Sequence, residues 1–242
     1  MPLVKEGDDL AHLIVEAANA AGEPLAAGDI VVIAQKVVSK AEGRMCDLAD
    51  VRPSERAVAL GRDAQKDPRL VELILQEAQE VLRVRPGVIV VAHKRGWVLA
   101  NAGIDRSNVE GGDRDRALLL PEDPDASATA IRTRLERICG FDVAVVIADS
   151  IGRAWRLGTI GTAIGASGVQ WLTDLRGRRD LYGRPLETTE TGSGDEIAAA
   201  ASLLMGQVAE GTPVVVVRGL QKSIGEGQAG DLVRPLALDM FR

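Results

Sequence analysis

Val143-Ala144-Val145-Val146-Ile147-Ala148-Asp149-Ser150 is the stretch from which the fold is read. Six apolar residues follow one another without a polar break, and several are β-branched. The run therefore suits a strand buried on both faces rather than one alternating between core and water. Asp29 to Ala34, Val88 to His93 and Pro213 to Arg218 have the same character. Helical segments lie between these strands. Asp67-Pro68 opens an apolar-periodic segment through Val71, Ile74, Leu75 and Val81, with Asp67 as N-cap and the proline at the first helical position. Asp123-Pro124 repeats the device before Ala128, Ile131, Leu135 and Ile138. Ser193-Gly194-Asp195-Glu196 has the spacing of a capping box ahead of Ala198 to Met205, with Gly206 as the stop. This is a mixed α/β chain with no repeat or Pro/Ser linker to divide it. We expect one unit over residues 1–242, open to a bilobed arrangement.

Composition excludes several classes. The 242 residues are 46% hydrophobic and 26% charged, enough to build a folded core. No apolar run approaches the roughly 20 residues of a membrane helix. The N-terminus carries Asp8 and Asp9 where a signal peptide would carry basic charge, so a cytoplasmic protein is expected. Cys46 and Cys139 stand alone, without a CxxC or a histidine cluster, and read as reduced thiols. A net charge of −6 and only six aromatic residues, three Trp, one Tyr and two Phe, argue against a nucleic-acid binder. His12 and His93, the only histidines, read as surface or structural.

Chemistry gathers around Asp149. A carboxylate at the carboxyl tip of a buried strand, followed by Ser150 and Gly152-Arg153, is where α/β proteins hold a hard cation and a phosphate. The same residue could instead be the N-cap of the next segment. Asp105, in the polar loop Asn101 to Asn108, is a turn residue by itself and a second cation ligand if it meets Asp149. Six arginines (Arg153, Arg156, Arg176, Arg178, Arg179, Arg184) face two acids (Asp174, Asp180) over residues 153–184. This local excess of positive charge suits an anion site or a solvated basic loop. Lys36 and Lys40, after another strand, are placed to reach the same phosphates. Glycine-rich stretches between strands and helices fit backbone running close to a ligand, as well as ordinary turns. There is no GxxxxGK[ST] loop, no GxGxxG after a strand and no GxSxG elbow, so neither a P-loop nor a Rossmann site is supported.

The ordered series Gly7-Asp8-Asp9-Leu10, Gln35 to Arg44, Lys66-Asp67-Pro68, Ala100 to Val109, Leu119 to Ala128, Asp149 to Arg156 and Asp195 to Ala200 resembles the coenzyme F-420 gamma-glutamyl ligases over nearly the whole chain. The resemblance implies a family-specific α+β fold, an intertwined homodimer, and GTP-dependent joining of the lactyl carboxylate of F-420-0 to the amine of L-glutamate, with further γ-linked glutamates in some members. It implies Mg²⁺ or Mn²⁺, two per site, together with K⁺. Carried over by motif, Asp105, Asp149, Ser150 and Gln207 resemble the metal ligands. Pro2, Leu3, Val4, Lys40, Asn108, Gly206 and Gln207 resemble the GTP contacts, and Arg153 joins Asp105 and Asp149 in the reaction centre. Relatives usually carry a strand and a glycine before the Leu-Pro of the first motif, whereas here Met1-Pro2 comes first. No nitroreductase-like extension is expected, so reduction of a dehydro precursor would fall to another protein. A binding homologue without activity and a metal-dependent phosphatase are the alternatives. With so few rings, recognition is expected to rest on phosphates, metals and backbone amides, and Trp155, beside the metal motif, should matter more for positioning than Trp97.

Overall fold

The computed structural model describes residues 1–106, 115–220, 225 and 227–240. Its elements are, in order, α1 (Leu10–Ala20), β1 (Ile30–Ala34), α2 (Gln35–Ala41), β2 (Met45–Asp47), α3 (Glu55–Ala64), α4 (Pro68–Glu77), β3 (Ala78–Arg85), β4 (Val88–His93), β5 (Val98–Ala100), β6 (Arg116–Leu118), α5 (Pro124–Cys139), β7 (Ala144–Gly152), β8 (Thr159–Ser167), β9 (Leu172–Asp174), β10 (Glu190–Gly192), α6 (Ser193–Met205) and β11 (Val214–Val217). The chain is thus α+β. No helix among the described residues is long and apolar enough to cross a membrane.

The main sheet has the order β11-β1-β7-β8. Only β1 and β7 are parallel, with Ile30 opposite Ala144 and Ala34 opposite Ala148, and the two outer strands are antiparallel to them. The apolar runs are continuous because both faces are covered. Ile30, Val32, Ala144 and Val146 pack with Ile197, Ala198 and Ala201 of α6. Val31, Ile33, Val145 and Ile147 pack on the other side with Leu10 and Ile14 of α1 and Ala128 and Leu135 of α5. Gly161 lets α6 cross β8 closely: a Cβ there would lie 2.4 Å from the Ala198 carbonyl oxygen. The free edge of β8 is closed by carboxylates, since Ala163 N–H donates to Asp195 Oδ1 at 3.0 Å and Ala166 N–H donates to Asp125 Oδ1 at 2.9 Å.

A separate core sits under the three-stranded sheet β3-β4-β5, where Ala57, Ala64, Val71 and Ile74 of α3 and α4 meet Ile89 and Val91. Two local expectations are corrected here. The helix opened by Asp67-Pro68 ends at Glu77, and Val81 belongs to β3. Val81 and Val84 find cross-strand partners in Val91 and Ile89, and such pairing overrides a helical period. Ser193 begins α6 rather than capping it: the N-cap is Gly192 without a side-chain bond, and Asp195 is engaged with β8 instead. Asp67 and Asp123 do cap their helices, accepting from Arg69 N–H and Ala126 N–H.

An ion pair between a buried carboxylate and a half-exposed guanidinium holds the start of β1 to the end of β11. Asp29, 1% exposed, accepts from Arg218 Nε and Nη2 at 2.8 Å each and from Ala26 N–H at 2.7 Å. The Arg218 guanidinium lowers the Asp29 pKa against the opposing effect of burial. A lowered carboxylate pKa stabilises the fold above the unfolded value, near 3.9, and that stability is lost as pH falls toward the folded value. Asp29→Asn should therefore cost about 2–3 kcal/mol in urea unfolding at pH 7, and the gap to wild type should shrink at pH 3.5. An equal gap at both pH values contradicts the assignment.

Candidate active site

Because β1 and β7 are parallel, their carboxyl ends share one edge of the sheet, and β11, antiparallel to β1, starts at that edge. Ala34 N–H donates to the Pro213 carbonyl at 2.8 Å, drawing the loop after α6 to the same place. A cavity of about 880 Å³ opens there. Its position, outside the carboxyl ends of parallel strands, is where open sheets bind ligands. Pro2, Leu3, Val4, Lys40, Asp149, Ser150, Gly206 and Gln207, scattered along the sequence, all line it.

Asp149 is the chemical centre. It lies on β7 one residue beyond Ala148, the last partner of β1. Its carboxyl is pushed up to about 6, chiefly by burial and then by the charge of Asp105. Ser150 N–H, donating to Oδ1 at 2.8 Å, Lys36 and Gln35 oppose the rise. Asp105 is held by an isolated bridge to Leu118 of β6, and Lys36 Nζ is 2.6 Å from its Oδ2. The structure thus brings two carboxylates and one ammonium together from three distant parts of the chain. Gln35, 2% exposed, is a site residue that sequence reasoning did not single out. Its Oε1 accepts from Ser39 Oγ at 2.9 Å, whereas its buried Nε2 has no protein acceptor at hydrogen-bonding geometry and leans toward Asp149. A buried glutamine directly after an apolar strand was the available signal.

Other expected residues lie elsewhere. Arg153 is exposed in the hairpin between β7 and β8, where Nη1 donates to the Gly158 carbonyl at 3.3 Å, and it does not line the cavity of its own chain. Trp155 and Tyr182, each 87% exposed, are also outside that cavity. Asn108 falls outside the described residues. His93 is buried, its Nδ1 accepting from Arg95 N–H, and serves packing. His12 is exposed beside Glu16. Cys46 and Cys139 are free thiols.

The donor set suits a hard divalent cation. Asp105, Asp149, the Ser150 hydroxyl and the Gln207 amide offer oxygen only, with no thiolate or imidazole, which is the preference of Mg²⁺ and Mn²⁺. Among the described residues no three His, Cys, Asp or Glu side chains cluster, so ligand oxygens would have to complete such a shell.

The sequence pattern of the family described as F420-0:Gamma-glutamyl ligase matches residues 1–219. The chain is 48% identical to the coenzyme F420:L-glutamate ligase of Methanothermobacter thermautotrophicus, over 100% of this chain and 96% of that protein. It is 47% identical to the Methanopyrus kandleri protein of that name, over 99% and 93%, and 46% identical to the one from Archaeoglobus fulgidus, over 100% and 93%.

The Asp149–Asp105–Lys36 arrangement is directly measurable. In metal-free protein, carbon-detected NMR should show Asp149 titrating with a midpoint near 6. Asp105→Asn removes the like charge and should lower the midpoint, and Lys36→Met should raise it. A midpoint near 4 that neither substitution moves contradicts the geometry.

Proposed function

The chain belongs to the F420-0:gamma-glutamyl ligase family, and from that premise we propose that it joins the lactyl carboxylate of coenzyme F-420-0 to the amine of L-glutamate at the expense of GTP. The observation that supports this reading best is the pair Asp105 and Asp149 beside Lys36, with Asp149, Lys36 and Lys40 lining a cavity large enough for a nucleotide and an acceptor. A carboxylate does not acylate an amine unaided. Its oxygen attacks the γ-phosphorus of GTP, the bond from that phosphorus to the β–γ bridging oxygen breaks, and GDP leaves. The amine of glutamate then attacks the acyl carbon of the acyl phosphate, inorganic phosphate departs, and the amine loses one proton.

The chain's own groups have defined tasks in this scheme. Lys36 and Lys40 place positive charge against the triphosphate, and Ser150 presents a hydroxyl beside it. Asp105 and Asp149 would hold two divalent ions, Mg²⁺ or Mn²⁺, which would neutralise charge on the phosphates; K⁺ is a further expected ion. Gln207 offers its amide oxygen from the facing loop. The pocket must also keep water from the acyl phosphate.

A homodimer completes this reading. Trp155 and Leu157 between β7 and β8, and Leu181 and Tyr182 between β9 and β10, are 87–100% exposed. Large apolar side chains left exposed in this way call for a cover, and a second copy supplies one.

The test is a product mass spectrum. Incubated with F-420-0, L-glutamate, GTP and Mn²⁺, the protein should add glutamyl units to F-420-0 and release GDP only when both acceptor and glutamate are present. Asp149→Ala and Asp105→Ala should each lower the rate by at least about a hundredfold. Phosphate release without an acceptor would indicate a phosphatase, and unchanged F-420-0 a binding homologue. Either result overturns the proposal.

A further inference from the structure

No aromatic ring among the described residues lines the cavity, so a bound base meets aliphatic faces and must be told apart by hydrogen bonds at its edge. Among the described residues four carboxylates line the space. Asp149 belongs to the Asp105–Lys36 group. Asp47 accepts from Ala49 N–H at 2.9 Å. Glu6 lies against Gly43, where a Cβ would come within 2.6 Å of its Oε1. Glu210 is different, because the loop that carries it is folded around its carboxylate.

Val208 N–H donates to Glu210 Oε2 at 2.8 Å. The N–H groups of Glu210 itself, Gln207 and Ala209 also favour its ionised form. The Val208 hydrogen bond turns the backbone of the loop onto its own carboxylate, as in the nests that hold anions. Gly206 makes it possible: its φ is +71°, and a Cβ there would stand 2.1 Å from Glu210 Cδ. The hydrogen bond fixes one oxygen and the orientation of the group. Glu210 is exposed, so its other oxygen is not enclosed by protein. Leu3 and Val208, both exposed and both lining the cavity, provide the flat aliphatic surroundings that a purine needs.

We infer that Glu210 is the residue that selects guanine, its carboxylate accepting from the N1–H and 2-amino donors of the base. Adenine would turn the lone pair of N1 toward the same carboxylate and leave it unpaired. The inference deepens the GTP reading and rests on it.

Nucleotide exchange tests it. Rates of glutamyl transfer are measured with GTP, ITP, XTP and ATP for wild type and Glu210→Gln, with circular dichroism to check folding. Wild type should prefer GTP. In Glu210→Gln the amide oxygen stays with the Val208 N–H and the amide N–H faces the base, donating to the 2-oxo group of xanthine and opposing the 2-amino group of guanine, so the GTP-to-XTP ratio of kcat/KM should fall at least about a hundredfold. If wild type prefers GTP and Glu210→Gln keeps the wild-type ratios, Glu210 is not the selector, while the GTP reading stands. If wild type uses no purine triphosphate, or uses ATP as well as GTP, the GTP reading fails and this inference fails with it. Should Glu210→Gln be unstable, calorimetry on wild type decides: GDP should bind about tenfold more tightly than IDP, and equal binding overturns the assignment.

Discussion

Two carboxylates that repel each other across a partly desolvated space are the constraint around which this structure is arranged. Asp149 ends the buried part of β7, and Asp105 stands near enough to raise its pKa. Such a pair is tolerated only if positive charge is supplied. Lys36 supplies part of it through its 2.6 Å contact with Asp105. The placement of these three groups depends on one feature of the sheet. The parallel pairing of β1 with β7 puts the carboxyl ends of two apolar strands side by side, so that Gln35 and Lys36 emerge next to Asp149.

The remaining architecture serves that edge. α6 covers one face of the sheet, and α1 and α5 cover the other. β11 pairs antiparallel with β1, so the loop that leads into it, Gly206 to Pro213, must lie at the same end. The Asp29–Arg218 pair, with its carboxylate buried, anchors the opposite end of that strand. A site made of hard oxygen donors and ammonium groups results, with aliphatic residues and the Glu210 carboxylate also lining the cavity.

Much of this was legible in the sequence because the signals were local. Four apolar runs became β1, β4, β7 and β11, three of them within one residue while β7 runs three residues past Asp149 to Gly152, and Asp67-Pro68 and Asp123-Pro124 opened helices as their chemistry requires. Asp149 and Ser150 could be singled out because a charged residue ending an apolar strand is conspicuous. The features that could not be read depended on distant partners. β8, at the edge, is built from a glycine-rich stretch, Thr159-Ile160-Gly161-Thr162-Ala163-Ile164-Gly165, whose glycines answer to helices crossing over them and not to a turn. β3 continues directly from α4 because its valines find β4, and no local pattern announces that change. The role of Lys36 emerged only when the bridge of Asp105 to Leu118 placed the two together. Arg153 reads as part of the reaction centre from its nearness to Asp149 in sequence, yet an extended hairpin carries it away from the cavity of its own chain.

If the carboxylate pair is the centre of the molecule, it should hold a divalent cation together with the nucleotide oxygens that complete its shell. Electron paramagnetic resonance of Mn²⁺ titrated into metal-free protein with GDP present tests this most directly. Asp105→Asn and Asp149→Asn should each weaken Mn²⁺ binding at least about tenfold while circular dichroism stays unchanged. Mn²⁺ affinity equal to wild type in both folded variants would contradict the central role of the pair.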